Sequence, residues 1–214
     1  MSLIASMLHL DRRAVKALRI TDPYSLHRVV YSLYPDVRTD AEKSQSQASG
    51  ILYADHGGDH RGRKILMLAD RQPAEKVEGQ YGEVLCKHLP AGFLDHKHYR
   101  FKVIVNPTRR DSASRKLIAV RGREAIADWF TERAASSWGF AIDRPQLQVD
   151  RIEVLQFIDK HQRPVTIGQA HIQGLLHVSD QKQFKTSFTQ GIGRARAYGC
   201  GLLQIVPVID NPYA

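Results

Sequence analysis

Residues 170–208 read AHIQGLLHVSDQKQFKTSFTQGIGRARAYGCGLLQIVPV. Ala170, Ile172, Gly174, Leu176 and Val178 alternate, which places them on one face of a strand. Asp180 then stands as the N-cap of a helix that carries Phe184 and Phe188 one turn apart. Gly191 follows where a left-handed C-cap belongs, and residues 202–208 supply a closing strand. Upstream of this unit, residues 99–105 alternate as a strand that Asn106-Pro107 breaks. Residues 122–136 carry Ile126, Trp129, Phe130 and Ala134 at helical spacing, and residues 147–158 are extended. The order from 99 to 208 is therefore β-α-β-β-α-β.

The first half repeats this order less clearly. Residues 3–9 are a short apolar strand. A helix follows, with Asp22 as N-cap, Pro23 at its first position and a core stripe of Leu26, Val29, Val30 and Leu33. Pro35 ends it, and residues 39–49 read as a polar loop. Strands at 51–54 and 65–69 flank a glycine-rich tip as a hairpin. The weakly patterned residues 73–79, an expected second helix, lead to a strand at 81–87. The sequence thus predicts an α+β fold of two tandem ferredoxin-like (RRM-like) βαββαβ modules, residues 1–92 and 93–214, joined near 89–98. Such a topology assigns no function by itself, and neither half shows the aromatic signature of an RNA-recognition motif.

Composition narrows the partners. The 214 residues can bury a core, and 31 Lys and Arg against 22 Asp and Glu give a net charge of +9. That balance favours a polyanion, and nucleic acid leads a membrane surface because no basic amphipathic helix stands out. No apolar run has the length of a membrane span and the N-terminus lacks a signal-peptide pattern, so a cytoplasmic protein with no membrane partner is expected. Cys86 and Cys200 fit neither a disulfide framework nor a zinc knuckle. Asp55, His56, Asp59 and His60, set around Gly57-Gly58, read as a solvated hairpin tip rather than a ligand cage. No metal or other cofactor is expected.

Three groups of residues can carry chemistry. Gly191, Gly193, Gly199 and Gly201 in GIGRARAYGCG form a backbone that bends sharply and admits a close approach, with Arg194 and Arg196 supplying positive charge for phosphates. A dinucleotide fingerprint would need glycine where Arg196 stands, and a P-loop would need Gly-Lys-Ser/Thr. On the first helix Tyr24, His27, Arg28 and Tyr31 form a second stripe opposite the Leu/Val face. A lone histidine there would be an ordinary surface residue. A tyrosine at i−3 and an adjoining arginine that can hold a phosphate make Tyr24 and His27 a general acid/base set for metal-free RNA cutting, the substrate's own 2′-hydroxyl being the nucleophile. Which of the two is acid and which is base stays open. Arg109, Arg110, Arg115 and Lys116, with Arg121 and Arg123 beyond, lie in a loop read as flexible, able to grip the backbones of an RNA stem. Trp129 and Trp138 are read as packing residues, and His161, His171 and His177 as surface or strand-face residues.

Taken together, Asp22-Pro23-Tyr24-Ser25-Leu26-His27, Asn106-Pro107 and GIGRARAYGCGLL resemble the CasE family, the CRISPR RNA-processing endoribonuclease subunit of the Cascade surveillance complex. The similarity runs in order over most of the chain and is strongest at its two ends. Between about 39 and 98 it amounts to the strand order, and that segment carries extra histidines and a long polar loop. The resemblance implies metal-independent cleavage of CRISPR repeat RNA at the base of its stem-loop, retention of the product, and assembly with other Cascade subunits. It implies Tyr24 and His27 as the catalytic pair and an approach of Arg194 and Arg196 to the RNA. The basic loop at Arg109, Arg110, Arg115 and Lys116 would contribute to stem binding. Arg28 as a phosphate holder follows from its helix position alone. Two other readings stand beside the enzyme: a non-catalytic stem-loop binder that caps a ribonucleoprotein, and a small-metabolite protein on the same scaffold.

Overall fold

The computed structural model describes residues 3–37, 39, 49–159 and 161–208. The first sheet is built from β1 (Ile4–Leu10), β2 (Ile51–Asp59), β3 (Gly62–Ala69) and β4 (Glu83–His88), with helices α1 (Arg12–Ala17) and α2 (Pro23–Ser32) between β1 and β2. Its order is β2-β3-β1-β4, and each paired neighbour runs antiparallel. That is the ferredoxin-like order, with the first and third strands at the centre. The second sheet comprises β5 (His98–Val105), β8 (Phe140–Ile142), β9 (Gln148–Ile158), β10 (Pro164–Val178) and β11 (Gln204–Pro207). Its order is β11-β5-β10-β8, with β9 also paired to β10. The 15-residue β10 is long enough to pair with β9 over its first part and with β8 at its end. Helix α3 (Arg123–Arg133) precedes β8 and α4 (Gln181–Gln190) precedes β11. The predicted α+β fold of tandem ferredoxin-like units stands.

Local chemistry explains the helices that position the site. In α2 the Asp22 carboxylate accepts from the Ser25 backbone N–H at 2.7 Å. The Ser25 hydroxyl in turn accepts from the Asp22 N–H at 3.0 Å. This reciprocal capping box follows Pro23 at the first turn, as the sequence requires. Leu26, Val29 and Val30 are buried in the core beneath the first sheet, Tyr31 packs at its margin, and Tyr24 and His27 lie half-buried on the other side of the helix. Helix α4 starts on Asp180, whose carboxylate accepts from the Gln183 N–H at 2.9 Å. Around the second sheet Phe130 stacks on Phe101 at 5.6 Å and lies 5.2 Å from Trp138, both distances between ring centroids.

Several expectations change. Residues 12–17 form a helix that the sequence pattern did not suggest, started by the Asp11 carboxylate accepting from the Ala14 N–H at 2.7 Å. No helix forms between β3 and β4; turns there are closed by a bridge between Val77 and Tyr81. Two buried side chains, Pro73 and Val77, are too few to hold a helix against the sheet. The segment expected to be a flexible basic loop contains a two-stranded hairpin, β6 (Thr108–Arg110) with β7 (Leu117–Ala119). Most of the loop at 39–49 lies outside the described residues.

The two sheets share a core. Leu52, Ala54 and Leu68 of the first sheet belong to the same buried cluster as Ile192, Leu202 and Leu203 from the far end of the chain. The glycine-rich loop therefore docks on the first sheet rather than standing free. Among the described residues, no helix is long and apolar enough to cross a membrane.

Candidate active site

The loop that follows α4 is shaped by backbone geometry that few residues tolerate. Gly191 has φ +77° and ψ 155°, outside the left-handed helical well expected for it, in a region open to glycine alone. A Cβ at Gly191 would lie 2.6 Å from Leu52 Cδ2, and one at Gly201 would lie 2.4 Å from the Ile192 carbonyl oxygen. The loop closes on itself where the Ile192 N–H donates to the Gly201 carbonyl at 2.9 Å. Ala195 and Gly199, both left-handed, bracket a short 3₁₀ turn at Arg196–Tyr198. Close approach is thus the reason for three of the four glycines, and the approaching groups are Leu52, Tyr53 and Ile192 of this chain. Gly193 has nothing within 4 Å of its missing Cβ.

That turn meets α2. The Ala197 carbonyl accepts from His27 Nδ1 at 2.8 Å and from the Tyr53 hydroxyl at 3.0 Å. Because a carbonyl only accepts, Nδ1 carries the proton, and the lone pair of the neutral ring is on Nε2. The imidazole sits among tyrosines. Tyr31 lies 4.0 Å away, Tyr198 5.7 Å and Tyr24 6.3 Å, measured between ring centroids, with the Tyr24 ring nearly parallel. Phe157 on β9 backs Tyr198 at 4.8 Å. Burial pushes the Tyr198 phenol above its ordinary value, helped by the Asp159 carboxylate and the other two tyrosines. Burial also holds the Tyr53 phenol well above the usual range. Tyr24 and His27 are half-buried, so a substrate can reach them.

The basic residues divide into two groups. Arg28 is exposed on α2 beside His27, and Arg194 is exposed on the loop. Arg196 folds inward: its Nη1 donates to the Gln190 carbonyl at 2.7 Å, which caps the last turn of α4. Arg109 and Arg110 lie exposed on β6, while Arg115, with φ +57°, and Lys116 lie at the turn. Arg110 Nη1 donates to the Arg115 carbonyl at 3.0 Å, and the Asp111 carboxylate accepts from the Ser114 hydroxyl and backbone N–H. Those two hydrogen bonds hold the Asp111 carboxyl below its ordinary value. Trp129 Nε1 donates to the Thr108 carbonyl at 3.1 Å, tying the hairpin to α3. Tyr24, His27 and the glycine loop therefore meet, Arg28 adjoins them on α2, and the basic hairpin is a separate two-stranded sheet tied to α3.

A cleft of about 650 Å³ opens between the sheets, walled in part by Tyr53, Asp55, Arg63, Lys102, His171 and Tyr198. Two close side-chain contacts lie along its walls. Arg63 donates to the Asp55 carboxylate through Nε and Nη2, and His171 Nε2 lies 3.0 Å from Glu153 Oε1. At the hairpin tip Asp59 accepts from the Arg61 and Gly62 N–H groups, and His56 contacts Gln204 at 3.0 Å. Among the described residues, no group of three or more His, Cys, Asp or Glu is arranged to hold a metal ion.

A family model described as CRISPR associated protein matches residues 3–207. This chain belongs to the CRISPR-associated protein family. Solved structures similar to it carry the same fold. A CRISPR endoribonuclease Cse3 bound to a 19-nucleotide RNA superposes with a TM-score of 0.79 at 19% identity, over 97% of this chain and all of the other. Thermus thermophilus Cse3, bound to an RNA representing a pre-cleavage complex, gives 0.77 at 19% identity, over 97% and 100%. The CRISPR-associated protein Cas6e from Escherichia coli str. K-12 gives 0.62 at 17% identity, over 96% and 100%. No curated protein matches the chain in sequence.

Sequence reasoning found Tyr24, His27, Tyr31 and the glycine loop but missed Tyr53, Ala197 and Tyr198 as parts of one site. Tyr53 carried the one signal available: it is the only polar side chain in the apolar run from Ile51 to Ala54.

Proposed function

We propose that this CRISPR-associated protein is a metal-independent endoribonuclease that cuts CRISPR repeat RNA at the base of its stem-loop and stays bound as a Cascade subunit. The observation that carries this reading is the hydrogen bond from His27 Nδ1 to the Ala197 carbonyl, which joins the Tyr24/His27 face of α2 to the arginine-bearing loop 170 residues away. Membership in the family and the fold shared with RNA-bound Cse3 support it. Similar folds within CRISPR RNA-guided surveillance complexes support the partner assignment.

Tyr24 and His27 act across the scissile phosphodiester. The ribose 2′-oxygen attacks phosphorus and loses its proton to the base, while the bond from phosphorus to the 5′-oxygen breaks and that oxygen takes a proton from the acid. The products are a 2′,3′-cyclic phosphate and a 5′-hydroxyl end, and atoms balance without a water or metal. His27 exchanges its proton at Nε2, since Nδ1 is held by the loop. Tyr24 orients the 2′-hydroxyl or protonates the leaving oxygen. Arg28 and Arg194 hold phosphates beside the cut, while Arg109, Arg110, Arg115 and Lys116 grip the stem. Gly191, Gly193, Gly199, Gly201 and Arg196 serve the same RNA-facing loop by shaping its backbone.

The test is incubation of His27→Ala with repeat RNA in EDTA and analysis of fragment ends. A loss of about 10²-fold or more in cleavage, with stem-loop affinity kept, is expected. A substrate with a 2′-deoxy sugar at the cut site should resist the wild-type enzyme. Cleavage that persisted in His27→Ala, or disappeared on chelation, would remove the mechanism.

A further inference from the structure

We propose that Tyr53 is a positioning residue for His27, and that the carbonyl they share selects the imidazole tautomer used for proton transfer. This rests on the reading of His27 as the proton-transferring group. The Ala197 oxygen has two lone pairs, and both are occupied: His27 Nδ1 donates at 2.8 Å and the Tyr53 hydroxyl at 3.0 Å. A carbonyl on an exposed turn would by itself be a loose anchor. Here its second donor comes from a residue of the edge strand β2 that is 1% exposed and paired with Met67 on the inner strand β3. Rigid strand, fixed phenol, fixed carbonyl and fixed imidazole form one chain of contacts.

The surroundings suit that role. A Cβ at Gly199 would lie 3.2 Å from the Tyr53 ring, so glycine there lets the turn reach the phenol. Burial holds the Tyr53 phenol well above its ordinary value, which favours the protonated, donating form. Left-handed Ala195 and Gly199 aim the intervening turn. With Nδ1–H held, the neutral ring presents its lone pair at Nε2 and the protonated ring presents N–H at the same atom. Base and acid roles therefore use one nitrogen. Tyr53 touches the carbonyl rather than the reacting atoms, and acts through it.

The experiment uses the full chain labelled with ¹⁵N-histidine, with the His27 signals assigned by their loss in His27→Gln. Long-range proton–nitrogen spectra above the histidine titration range report the tautomer. Wild type is expected to show His27 as the Nδ1–H form, a measurement that needs no Tyr53 variant. In Tyr53→Phe the two tautomers should mix, and single-turnover cleavage of repeat RNA should fall about tenfold while RNA affinity changes less than twofold. A wild-type His27 in the Nε2–H form would overturn the proposal. So would a Tyr53→Phe protein with an unmixed Nδ1–H tautomer, or with an unchanged His27-dependent cleavage rate. Failure of the functional reading looks different: His27→Ala would still cut RNA, whatever the tautomer.

Discussion

Replacing Gly201 and Gly193 separately by alanine measures how much of the loop is set by packing rather than by backbone preference. Both have positive φ, +86° at Gly201 and +71° at Gly193. An L-residue held there costs about 1–2 kcal/mol. At Gly193 that is the whole cost, since nothing lies within 4 Å of the added methyl. At Gly201 the methyl would sit 2.4 Å from the Ile192 carbonyl oxygen and 3.1 Å from Arg196 Cγ. The arginine stem can shift, but the carbonyl belongs to the residue whose N–H closes the loop on the Gly201 oxygen. Relief means opening that closure, and overpacking of this kind adds about 1–3 kcal/mol, for a total of about 2–5 kcal/mol. In urea, with a slope of about 2–3 kcal/mol per molar, the midpoint should fall by about 0.5 M for Gly193→Ala and by about 1–2 M for Gly201→Ala. Cleavage should fall with it, because the same loop carries the carbonyl that holds His27. Equal losses at the two sites, or an unaffected Gly201→Ala, would show that close approach is not why glycine stands at 201.

The remaining predictions concern the hairpin and the buried ionisable groups. Arg109→Ala and Arg110→Ala should each weaken stem-loop binding evenly across repeat sequences and lower the slope of log affinity against log salt by about one, read by fluorescence anisotropy at several ionic strengths. Cys200 is buried and its thiol is pushed up to about 12, whereas Cys86 is exposed. A thiol reagent at pH 8 should therefore count one reactive group in the native chain and two in denaturant. Burial also pushes the Tyr34 phenol up to about 12. For both groups the unfolded chain loses its proton first, from about 9 for the thiol and 10 for the phenol. Between those values and about 12 the folded state holds more protons, so stability falls as pH rises through that window. Urea midpoints at pH 8 and pH 10.5 should differ in that direction, and a flat or rising midpoint would contradict it.

Much of the fold was legible because its signals are local. Asp22-Pro23 with the Leu26, Val29, Val30 and Leu33 stripe announces α2 and says which face is left over for chemistry. The alternation from Ala170 to Val178 announces β10, and Asp180 announces α4. Each depends on contacts a few residues apart, which capping and periodicity encode directly. Weak local patterns misled. Residues 12–17 hold only Ala14 in the core, so no apolar stripe marked the helix, and the charged residues around 109–116 concealed a hairpin fastened by Asp111 and Trp129.

The amino-acid sequence alone established the α+β class, the Tyr24/His27 face and the presence of a glycine-arginine loop. Tertiary structure alone decided what that loop does. Three of its glycines admit Leu52, Tyr53 and Ile192, Arg196 caps α4, and the Ala197 carbonyl reaches His27. The reason is physical: a hydrogen bond between residues 27 and 197 leaves no periodicity in either segment. A backbone carbonyl also carries no side-chain identity for the sequence to display.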